Sequence, residues 1–514
     1  MWRSQVACLS SCLTYDGTDI ATSRGGAVGA SDRTVPDVHL HIGDERRSRG
    51  GGGVHQHVYP ATGEVQGSVP LADARDVSEA VRAASVAFET WRSWTPWQRR
   101  DVLVRLAGLL EAAKDEFARL SVLDNGMTYG IAEFTATSMV DYARYYAGWA
   151  DKVEGRVTSS PVHGRELAYT VPEPYGVVGI IITWNGPLVS VGMKVMPALA
   201  AGNTVVVKPS ELTPYAMELF MALVREAGIP PGVVNVLPGT AEAGEALVRH
   251  PLVQKVSFTG GPATARTILA ACAETLKPAV LELGGKSASL VFPDADLDAV
   301  AFIATASVHQ TLAGQGCALA TRLVVHDSVY DELAERIVAF TRDITLGDPF
   351  DPATGMGPVV SRAAQERILG MVERAGNDGT AKLLAGGGAP GGELAAGSYV
   401  EPTVFGDVDP ASELGQVEVF GPVLSLMRFV TEDEALQIAN GTSYGLASYV
   451  WTNDMARINR LVPRLEAGGV YVNGATPVTG CELPFGGIGI SGFGREGGLE
   501  GLLEFVRTKA VAIA

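Results

Sequence analysis

One cysteine lies among small residues in the stretch 314–322, immediately before the apolar run 323–325. A thiolate at Cys317 on a tight loop could attack a substrate carbonyl, although a lone cysteine is more often a buried packing residue. Upstream, Glu282 follows the apolar run 279–281 and precedes two glycines. Because a carboxylate at the end of a buried strand is costly, we expect Glu282 to have a chemical task. Together these residue types suit covalent catalysis, in which a thiolate attacks a carbonyl and a carboxylate later activates water.

The size and charge of the chain limit the kinds of protein that it can be. Its 514 residues should form two or more domains, and a hydrophobic fraction of 46% is ordinary for a globular protein. The net charge of −17 argues against nucleic acid or an anionic membrane surface as the main partner. The longest apolar runs, such as 176–183, are too short to span a membrane. The HxH pairs at 39–41 and 55–57 have no other ligand type beside them, so no metal site is predicted.

The cysteines and the first residues bear on the compartment. Five cysteines are few, odd in number and unpatterned, which favours a reducing compartment over a disulfide framework. Residues 1–36 show little periodicity and are predicted to form a disordered extension. They contain no apolar core long enough for a secretory signal, and Asp16, Asp19 and Asp32 disfavour a mitochondrial presequence. A cytoplasmic location is therefore predicted.

Strand-like and helical segments alternate along most of the chain. Helical periodicity covers much of 76–149, and Thr95-Pro96 has the residue types of a helix start. From 176 to 283, buried apolar runs alternate with helices, which is the βαβ rhythm of a doubly wound parallel sheet. A second alternation begins after Glu282 and predicts a second α/β domain with Cys317 near its start. The predicted fold class is therefore α/β, with two such domains.

Chemically useful residues follow several of the predicted strands. Parallel sheets of this kind bind ligands at the carboxyl ends of their strands. Trp184, Asn185, Lys208, the turn 259–261 and Glu282 should therefore gather at one edge of the first sheet.

Two strand-to-helix turns could hold a cofactor. Lys208 could pair with a phosphate or a ribose hydroxyl, and Glu211 could accept from ribose hydroxyls, although both residue types are usually solvated. Backbone N–H groups in the turn Thr259-Gly260-Gly261 could meet a diphosphate. The GxGxxG fingerprint does not occur in this region, so an ordinary dinucleotide fold is not indicated by motif.

In combination, these motifs resemble those of the aldehyde dehydrogenase superfamily, over about residues 37–514. The resemblance rests on separate motifs that follow one another in the family's order. They are Tyr59-Pro60-Ala61-Thr62-Gly63, Trp184-Asn185, Lys208-Pro209-Ser210-Glu211, Phe258-Thr259-Gly260, 281–286, 314–317, Glu418-Val419-Phe420-Gly421-Pro422 and Pro484-Phe485-Gly486-Gly487.

The resemblance implies NAD-dependent oxidation of an aldehyde to the acid. Cys317 matches the nucleophile, which forms a thiohemiacetal and then a thioester. Glu282 matches the base that activates the hydrolytic water, and Asn185, with the N–H of Cys317, matches the oxyanion hole. Lys194 and Glu496 match polar residues near the water path.

The resemblance also implies a cofactor site. Lys208 and Glu211 match residues that hold the adenosine ribose, and Glu418 and Phe420 match residues that place the nicotinamide half. The remaining expected cofactor contacts are Thr183, Trp184, Ser210, Thr259, Gly260, Gly261 and Leu283. NAD is favoured over NADP because Glu211 would repel a 2′-phosphate, although use of NADP is possible.

Four positions depart from the family's pattern and bear on ligand binding. Thr183 stands where a proline is usual. Gly261 stands where a serine is usual, and Ala265 where a glycine is expected, which puts phosphate affinity in question. Gly186 stands where a bulky aromatic residue is frequent.

Small or flexible residues surround the expected substrate position. The predicted substrate contacts are Gly186, Val189, Ser190, Met193, Gly316, Ala318 and Phe485. They favour a wide, mostly apolar tunnel for bulky apolar or aromatic aldehydes, unless the small residues only ease backbone packing. No arginine is evident for a carboxylate-bearing semialdehyde.

The implied organisation has three parts. Residues 37–153 and 174–283 form an NAD-binding domain, and 284–495 form a catalytic domain. Residues 154–173 and 496–514 form β-like oligomerisation segments, which predict a homodimer or homotetramer because bare edge strands invite pairing.

Two alternatives to this function stay open. One is a CoA-acylating aldehyde dehydrogenase, although a water-activating Glu282 would be superfluous there. The other is a non-catalytic binding protein that retains the fold, although the joint presence of Cys317, Glu282 and Asn185 speaks against it.

Overall fold

The computed structural model describes residues 33–158, 167–477 and 480–513. Its strands are β1 Leu40–Ile42, β2 Glu45–Arg47, β3 Val54–Val58, β4 Val65–Pro70, β5 Val157–Thr158, β6 Leu167–Pro174, β7 Val177–Ile181, β8 Thr204–Lys208, β9 Val234–Val236, β10 Val253–Gly260, β11 Ala279–Leu283, β12 Ala288–Val291, β13 Arg322–His326, β14 Lys382–Ala385, β15 Thr403–Gly406, β16 Val423–Phe429, β17 Tyr444–Gly445, β18 Ala447–Trp451, β19 Gly469–Val472, β20 Ile488–Gly489, β21 Gly492–Phe493 and β22 Val506–Ile513.

The helices frame these strands. They are α1 Ala74–Ser93, α2 Pro96–Ala112, α3 Lys114–Asn125, α4 Tyr129–Trp149, α5 Pro187–Ser190, α6 Met196–Ala200, α7 Tyr215–Glu226, α8 Ala241–Arg249, α9 Pro262–Ala273, α10 Leu297–Thr305, α11 Asp327–Arg342, α12 Arg362–Asn377, α13 Glu413–Gln416, α14 Glu432–Asn440, α15 Met455–Leu461 and α16 Gly498–Leu503. Turns of π-helix cover Val191–Val195 and Ala306–Gln310, and 3₁₀ turns cover Leu312–Gly314, Gly392–Leu394 and Val462–Arg464.

The first domain is built on a sheet with the strand order β2-β1-β9-β8-β7-β10-β11-β21. Its central strands, β9 to β11 in that order, are parallel, and residues of β7 and β8 are buried throughout. The carboxyl ends align, since Ile181 is paired with Lys208 and Thr259 with Glu282. Parallel pairing therefore brings Lys208, Thr259 and Glu282 to one edge of the sheet, as predicted, while their roles in ligand binding stay predictions.

The helices before this sheet begin and end where side chains satisfy their backbone. Thr95 caps α2 in a capping box with Gln98, and Pro96 takes the first helical position, as predicted. The helical segment that begins there and extends to Asn125 consists of two helices, α2 and α3, which meet at Ala113. Gly126 ends α3 with a φ of 76°, a conformation that glycine adopts without strain.

The second domain contains a sheet with the strand order β14-β15-β16-β13-β12-β18-β19. The strands from β15 to β19 in that order are parallel, and α10 and α11 pack beside them. The segment that carries Cys317 follows the 3₁₀ turn Leu312–Gly314 and leads directly into β13. Cys317 therefore lies at the amino end of a central strand of the second sheet.

A third, small sheet has the order β22-β6-β5. Strand β22 pairs antiparallel with β6 along its whole length, from Val506 opposite Pro174 to Ile513 opposite Leu167. Most residues of β22 are exposed, and its other edge has no neighbouring strand within the described residues. The predicted segments 154–173 and 496–514 thus meet each other in one chain, with 159–166 outside the described residues.

The folded part begins earlier than predicted. Most of the predicted extension 1–36 lies outside the described residues, but Arg33 donates to Asp348 Oδ2 at 2.5 Å and stacks over the Phe350 ring at 4.3 Å. In the part of the chain that the structure describes, no helix is long and apolar enough to cross a membrane.

Candidate functional site

Cys317 and Glu282 face each other across the junction of the two domains. Glu282 lies on β11 of the first sheet and is 3% exposed, while Cys317 precedes β13 of the second. Burial raises the pKa of the Cys317 thiol well above its usual value, and the charge and hydrogen bonding of Glu282 add to the rise. Burial raises the pKa of Glu282 to about 8, with a further contribution from Glu496. At neutral pH both groups therefore hold their protons in this state of the protein.

Glycines allow the loops around these two groups to lie backbone against backbone. A Cβ at Gly285 would lie 2.5 Å from the Cys317 carbonyl oxygen, and a Cβ at Gly284 would lie 2.1 Å from Glu418 Oε2. No residue with a side chain fits either distance without a shift of its neighbour. The turn after β11 is thus the common support of the Cys317 loop and the Glu418 loop.

Asn185 directs its amide toward the Cys317 loop. Its Nδ2 donates to the Gln315 carbonyl at 2.8 Å, and Thr183 Oγ1 donates to its Oδ1 at 2.6 Å. The second contact fixes which end of the amide is the donor. The carbonyl of Trp184 accepts from Asn125 Nδ2 at 3.0 Å, which anchors this turn to α3.

A buried ion pair lies behind Glu282. Lys194, which is fully buried within the π-helical turn Val191–Val195, donates to Glu496 Oε1 and to Ser257 Oγ, the latter at 3.1 Å. Turns of π-helix in a continuing helix are frequent at functional sites. The charge of Glu496 raises the pKa of Glu282 while the charge of Lys194 lowers it, so the pair is electrostatically coupled to the site.

The predicted adenosine side follows strands β8 and β10. Lys208 Nζ donates to the carbonyls of Pro209, at 3.0 Å, and Gly239, and burial lowers its pKa. Ser210 Oγ donates to Glu211 Oε2 at 3.4 Å, and Glu211 is partly exposed. Leu283 is buried, and its N–H donates to the Ser491 carbonyl. This N–H is therefore not available to a ligand.

The turn after β10 suits an anionic ligand. Thr259 Oγ1 is buried without a hydrogen-bond partner in the described residues. Gly260 packs against the Phe258 ring, which a Cβ would approach to 2.5 Å. Gly261 caps the twelve-residue helix α9, and a Cβ there would meet no atom within 4 Å. An unpaired buried hydroxyl beside open space at a helix N-terminus fits the diphosphate of a dinucleotide.

Glu418 and Phe420 lie on the loop between α13 and β16. Gly285 N–H donates to Glu418 Oε1 at 2.9 Å, and burial raises the pKa of Glu418 to about 7. Phe420 has a φ of 50° and lies edge-on to the Trp184 ring, with centroids 5.5 Å apart. Arg367 donates to the Phe420 carbonyl at 3.3 Å, which holds this strained residue in place.

Four of the predicted substrate residues lie on one continuous helical segment. Gly186 caps α5, with Val189 and Ser190 on that helix and Met193 in the π-helical turn. A Cβ at Gly186 would meet only Val189 Cβ, at 3.9 Å, so space is open there.

The flanks of Cys317 are more constrained than the sequence indicates. A Cβ at Gly316 would lie 2.9 Å from the Leu319 side chain, and the Ala318 carbonyl accepts from Tyr449 Oη at 2.7 Å. Phe485 exchanges two backbone hydrogen bonds with Glu496. Small residues at 316 and 318 therefore serve packing as well as space.

Three residues at this site were not predicted from the sequence. Gln315 carries the carbonyl bound by Asn185, Tyr449 supports the Cys317 loop, and Arg367 supports the Glu418 loop. None has a sequence signal, because an arginine on an amphipathic helix or a tyrosine in a strand is usually structural.

The histidine pairs have structural partners. His39 and His41 both contact Glu218, and His57 Nε2 lies 3.0 Å from the Leu212 carbonyl. Within 33–158, 167–477 and 480–513, no group of three or more His, Cys, Asp or Glu side chains could hold a metal ion.

Comparison with known proteins agrees with this architecture. The sequence model of the aldehyde dehydrogenase family matches residues 48–511. The human protein named "Aldehyde dehydrogenase, mitochondrial" is 42% identical over 468 residues, which cover 89% of this chain and 88% of that protein. Among solved structures, an NAD⁺ complex of an aldehyde dehydrogenase from Bacillus cereus is 38% identical with a TM-score of 0.89, and covers 93% of this chain and 96% of its own. An NAD⁺ complex of betaine aldehyde dehydrogenase from Staphylococcus aureus is 34% identical with a TM-score of 0.90, and covers 93% and 94%.

The chain therefore belongs to the aldehyde dehydrogenase family. It is an NAD(P)-dependent oxidoreductase that oxidises aldehydes. The α/β fold class predicted from the sequence is confirmed, and so is the resemblance to the aldehyde dehydrogenase superfamily. The human relative is mitochondrial by its name, so the cytoplasmic location of this chain stays a prediction.

Proposed function

We propose that this enzyme oxidises bulky apolar or aromatic aldehydes to free carboxylic acids through a covalent intermediate on Cys317, with NAD as the cofactor. The observation that carries the proposal is the meeting of Cys317 and Glu282 at the domain junction. A thiol and a carboxyl in contact can exchange a proton, which is the requirement of both the attack and the later hydrolysis.

In the first step the Cys317 sulfur attacks the aldehyde carbon and gives up its proton. The acceptor is Glu282 in its carboxylate form, which is hydrogen-bonded to the thiol. The raised pKa of about 8 makes this carboxylate a stronger base, although it is the minor form at neutral pH. The new bond produces a thiohemiacetal oxyanion. Asn185 Nδ2 and the Cys317 N–H are the donors that stabilise this charge. Asn185 is already oriented for that role by Thr183.

Bound NAD supplies the hydride acceptor that converts the thiohemiacetal into a thioester. The chain offers Lys208 and Glu211 for the adenosine ribose, Thr259 with the N-terminus of α9 for the diphosphate, and Glu418 with Phe420 for the nicotinamide half. Glu211 is the residue that favours NAD over NADP, because its carboxylate would repel a 2′-phosphate.

The thioester is resolved by water. Glu282 first passes the proton taken from Cys317 to solvent, and its carboxylate then takes a proton from the water as the oxygen attacks the thioester carbon. The acyl–sulfur bond breaks and Cys317 leaves as the thiolate. The proton on Glu282 must then reach solvent before the next turnover. We assign Glu496 as its first acceptor, because this carboxylate is paired with Lys194 and its charge acts on Glu282.

The substrate class follows from the space beside Gly186. Residue 186 has no side chain, and the segment 187–193 that follows presents mainly apolar groups. A wide, apolar entrance favours an aromatic or long-chain aldehyde over a small or charged one. A much higher kcat/KM for succinate semialdehyde than for an aromatic or decyl aldehyde would contradict this assignment.

The experiment that tests the reaction is a product analysis with NAD and no CoA. A free acid formed with one NADH per aldehyde, and no turnover by Cys317→Ser, is the expected result. Activity that depends on CoA would instead identify an acylating enzyme. No NADH from a broad aldehyde panel would identify a non-catalytic relative.

We further propose that the chain forms a homodimer or homotetramer. Strand β22 has an open edge among the described residues, and Ile513 at its end is 52% exposed. An open edge of this length is a hazard unless another chain covers it. Light scattering on the full-length protein is expected to give a dimer or tetramer mass, and a monomer would contradict the proposal.

A further inference from the structure

Lys286 is a buried lysine without a partner. Its side chain is 1% exposed, and its Nζ atom makes no hydrogen bond or ion pair with any residue that the structure describes. A buried ammonium group is normally paired, because a charge left alone in a protein interior is strongly unfavourable. The reaction proposed above gives Lys286 no task.

The turn that carries Lys286 encloses the Glu418 carboxyl group. Gly285, the residue before Lys286, donates its N–H to Glu418 Oε1 at 2.9 Å. Gly284 approaches Glu418 Oε2 so closely that a Cβ there would lie 2.1 Å from it. Three consecutive residues of this turn are therefore placed against or near one carboxyl group.

Two arginines act on this pair of groups, Arg322 on Lys286 and Arg367 on Glu418, and both already have hydrogen-bond partners. The Arg322 guanidinium donates to the carbonyls of Lys286, Ile438 and Ala439. Arg367 donates to the carbonyls of Val419 and Phe420. The Lys286 ammonium has its donors free.

The charges of Lys286 and Glu418 favour each other. Burial lowers the pKa of Lys286 to about 7, a shift that Arg322 increases and Glu418 opposes. Burial raises the pKa of Glu418 to about 7, a shift that the Gly285 N–H, Lys286 and Arg367 oppose. Tyr444 and Glu466 also line the small cavity beside Lys286. The Tyr444 hydroxyl is hydrogen-bonded to the Glu418 backbone.

We propose that Lys286 is a positioning residue, whose ammonium group keeps the Glu418 carboxylate charged and held on the nicotinamide side of the cofactor site. This inference rests on the role proposed above for Glu418. Without Lys286, Glu418 takes up a proton at a higher pH. A smaller fraction of it is then the carboxylate that would accept from the ribose hydroxyls of the nicotinamide half. The affinity for NAD then becomes weaker at neutral pH and recovers in alkaline solution.

The test is calorimetric titration of NAD into the full-length protein without aldehyde, from pH 5.5 to 9. For Lys286→Met we expect about fivefold weaker binding at pH 7, which corresponds to a rise of the Glu418 pKa from about 7 by about one unit. The wild type and Lys286→Met should converge near pH 9. Lys286→Gln, which keeps hydrogen-bonding groups without the charge, should behave in the same way.

A double-mutant cycle distinguishes positioning from a general effect on folding. Glu418→Gln should bind NAD weakly with little pH dependence, and adding Lys286→Met to it should cause less than a twofold further loss. Lys277→Met is the matched control, since Lys277 is also buried but donates to the carbonyls of Val248 and His250. It should leave the pH profile of NAD binding unchanged.

Two results would overturn the inference. One is an NAD affinity of Lys286→Met and Lys286→Gln that follows the wild-type pH profile. The other is a double mutant whose loss equals the product of the two single losses. A wild type that binds NAD but oxidises no aldehyde would instead count against the proposed reaction, so the two failures can be told apart.

Discussion

Thr183 Oγ1 donates a hydrogen bond of 2.6 Å to Asn185 Oδ1, and Asn185 Nδ2 in turn donates to the Gln315 carbonyl at 2.8 Å. The hydroxyl therefore selects which end of the Asn185 amide faces the Cys317 loop. A proline at position 183, which the family pattern would place there, could not supply this contact. The amide of this chain is thus oriented by a side chain that its own sequence introduces.

Removal of that hydroxyl tests the contact. Thr183→Val should lower kcat about tenfold with little change in the KM for aldehyde, because Asn185 would lose its orientation but remain present. Complete loss of an oxyanion donor costs about 10²–10³ in other enzymes, so the expected effect is smaller. Steady-state kinetics measure it, with Thr183→Ser as the control that keeps the hydroxyl. Equal loss in both variants would contradict the assigned role.

The open space at Gly261 allows the missing serine to be restored. Gly261→Ser should bind NAD about three- to tenfold more tightly, since its hydroxyl could donate to the diphosphate and no atom lies within 4 Å of a Cβ there. Gly261 is the N-cap of α9, and serine is favoured at N-cap positions, so stability should not fall. Calorimetry measures the affinity, and Gly261→Ala provides the control with the same Cβ and no hydroxyl. Unchanged binding by the serine variant would place the diphosphate elsewhere.

The pH dependence of hydrolysis follows from Glu282. Its pKa is raised to about 8, so the carboxylate that activates water becomes more abundant as the pH rises through 8. Hydrolysis of the thioester should therefore accelerate from pH 6 to 9 in rapid-quench experiments. Glu282→Gln should slow this step by about 10²–10⁴ and lose the dependence. Mass spectrometry should then detect an acyl group on Cys317, and its absence with activity retained would exclude Glu282 as the base.

Two neighbouring glycines should respond differently to alanine. Gly285→Ala places a Cβ 2.5 Å from the Cys317 carbonyl, so the backbone of the loop must move and kcat should fall at least tenfold. Gly284→Ala meets the end of the Glu418 side chain at 2.1 Å, which can rotate away, so the main effect should be a higher KM for NAD. Overpacking of this kind costs about 1–3 kcal/mol of stability, which thermal unfolding would measure. The same kinetic change in both variants would argue against separate contacts.

A bulky residue at position 186 should narrow the substrate entrance. Gly186→Phe should lower kcat/KM for an aromatic or decyl aldehyde by about tenfold or more while that for propanal changes little, since pocket size discriminates by such factors. Gly186→Ala is the control for the loss of glycine itself. Equal decreases for large and small aldehydes would assign Gly186 to folding rather than to specificity.

The strand ends were the most predictable part of this site. Lys208, Thr259 and Glu282 follow apolar runs that alternate with helices. This alternation predicts parallel strands, whose pairing brings the three residues to one edge of the sheet. The cofactor and the aldehyde reaction were predictable from separate motifs in a fixed order. What the motifs implied for individual residues, including Cys317, remains a proposal that the variants above can test.

Other features depend on contacts between distant segments and left no local pattern. The change from α2 to α3 at Ala113 and the π-helical turn around Lys194 lie inside periodic apolar segments that predict continuous helix. The ion pair of Lys194 with Glu496 joins residues far apart in sequence. The burial of Lys286 Nζ without a hydrogen-bond partner among the described residues results from tertiary packing, so the sequence pattern does not predict it.

The turn of Gly284 and Gly285 has a consequence for how this enzyme can diverge. Because Gly285 faces the backbone of the Cys317 loop and Gly284 faces the Glu418 carboxylate, side chains added at this turn disturb either the nucleophile or the cofactor contact. The substrate contacts predicted at 186–193 lie on a different segment of the chain. Under the proposed substrate assignment, preferences for new aldehydes can accumulate by substitution along that segment while the Gly284–Gly285 turn stays unchanged.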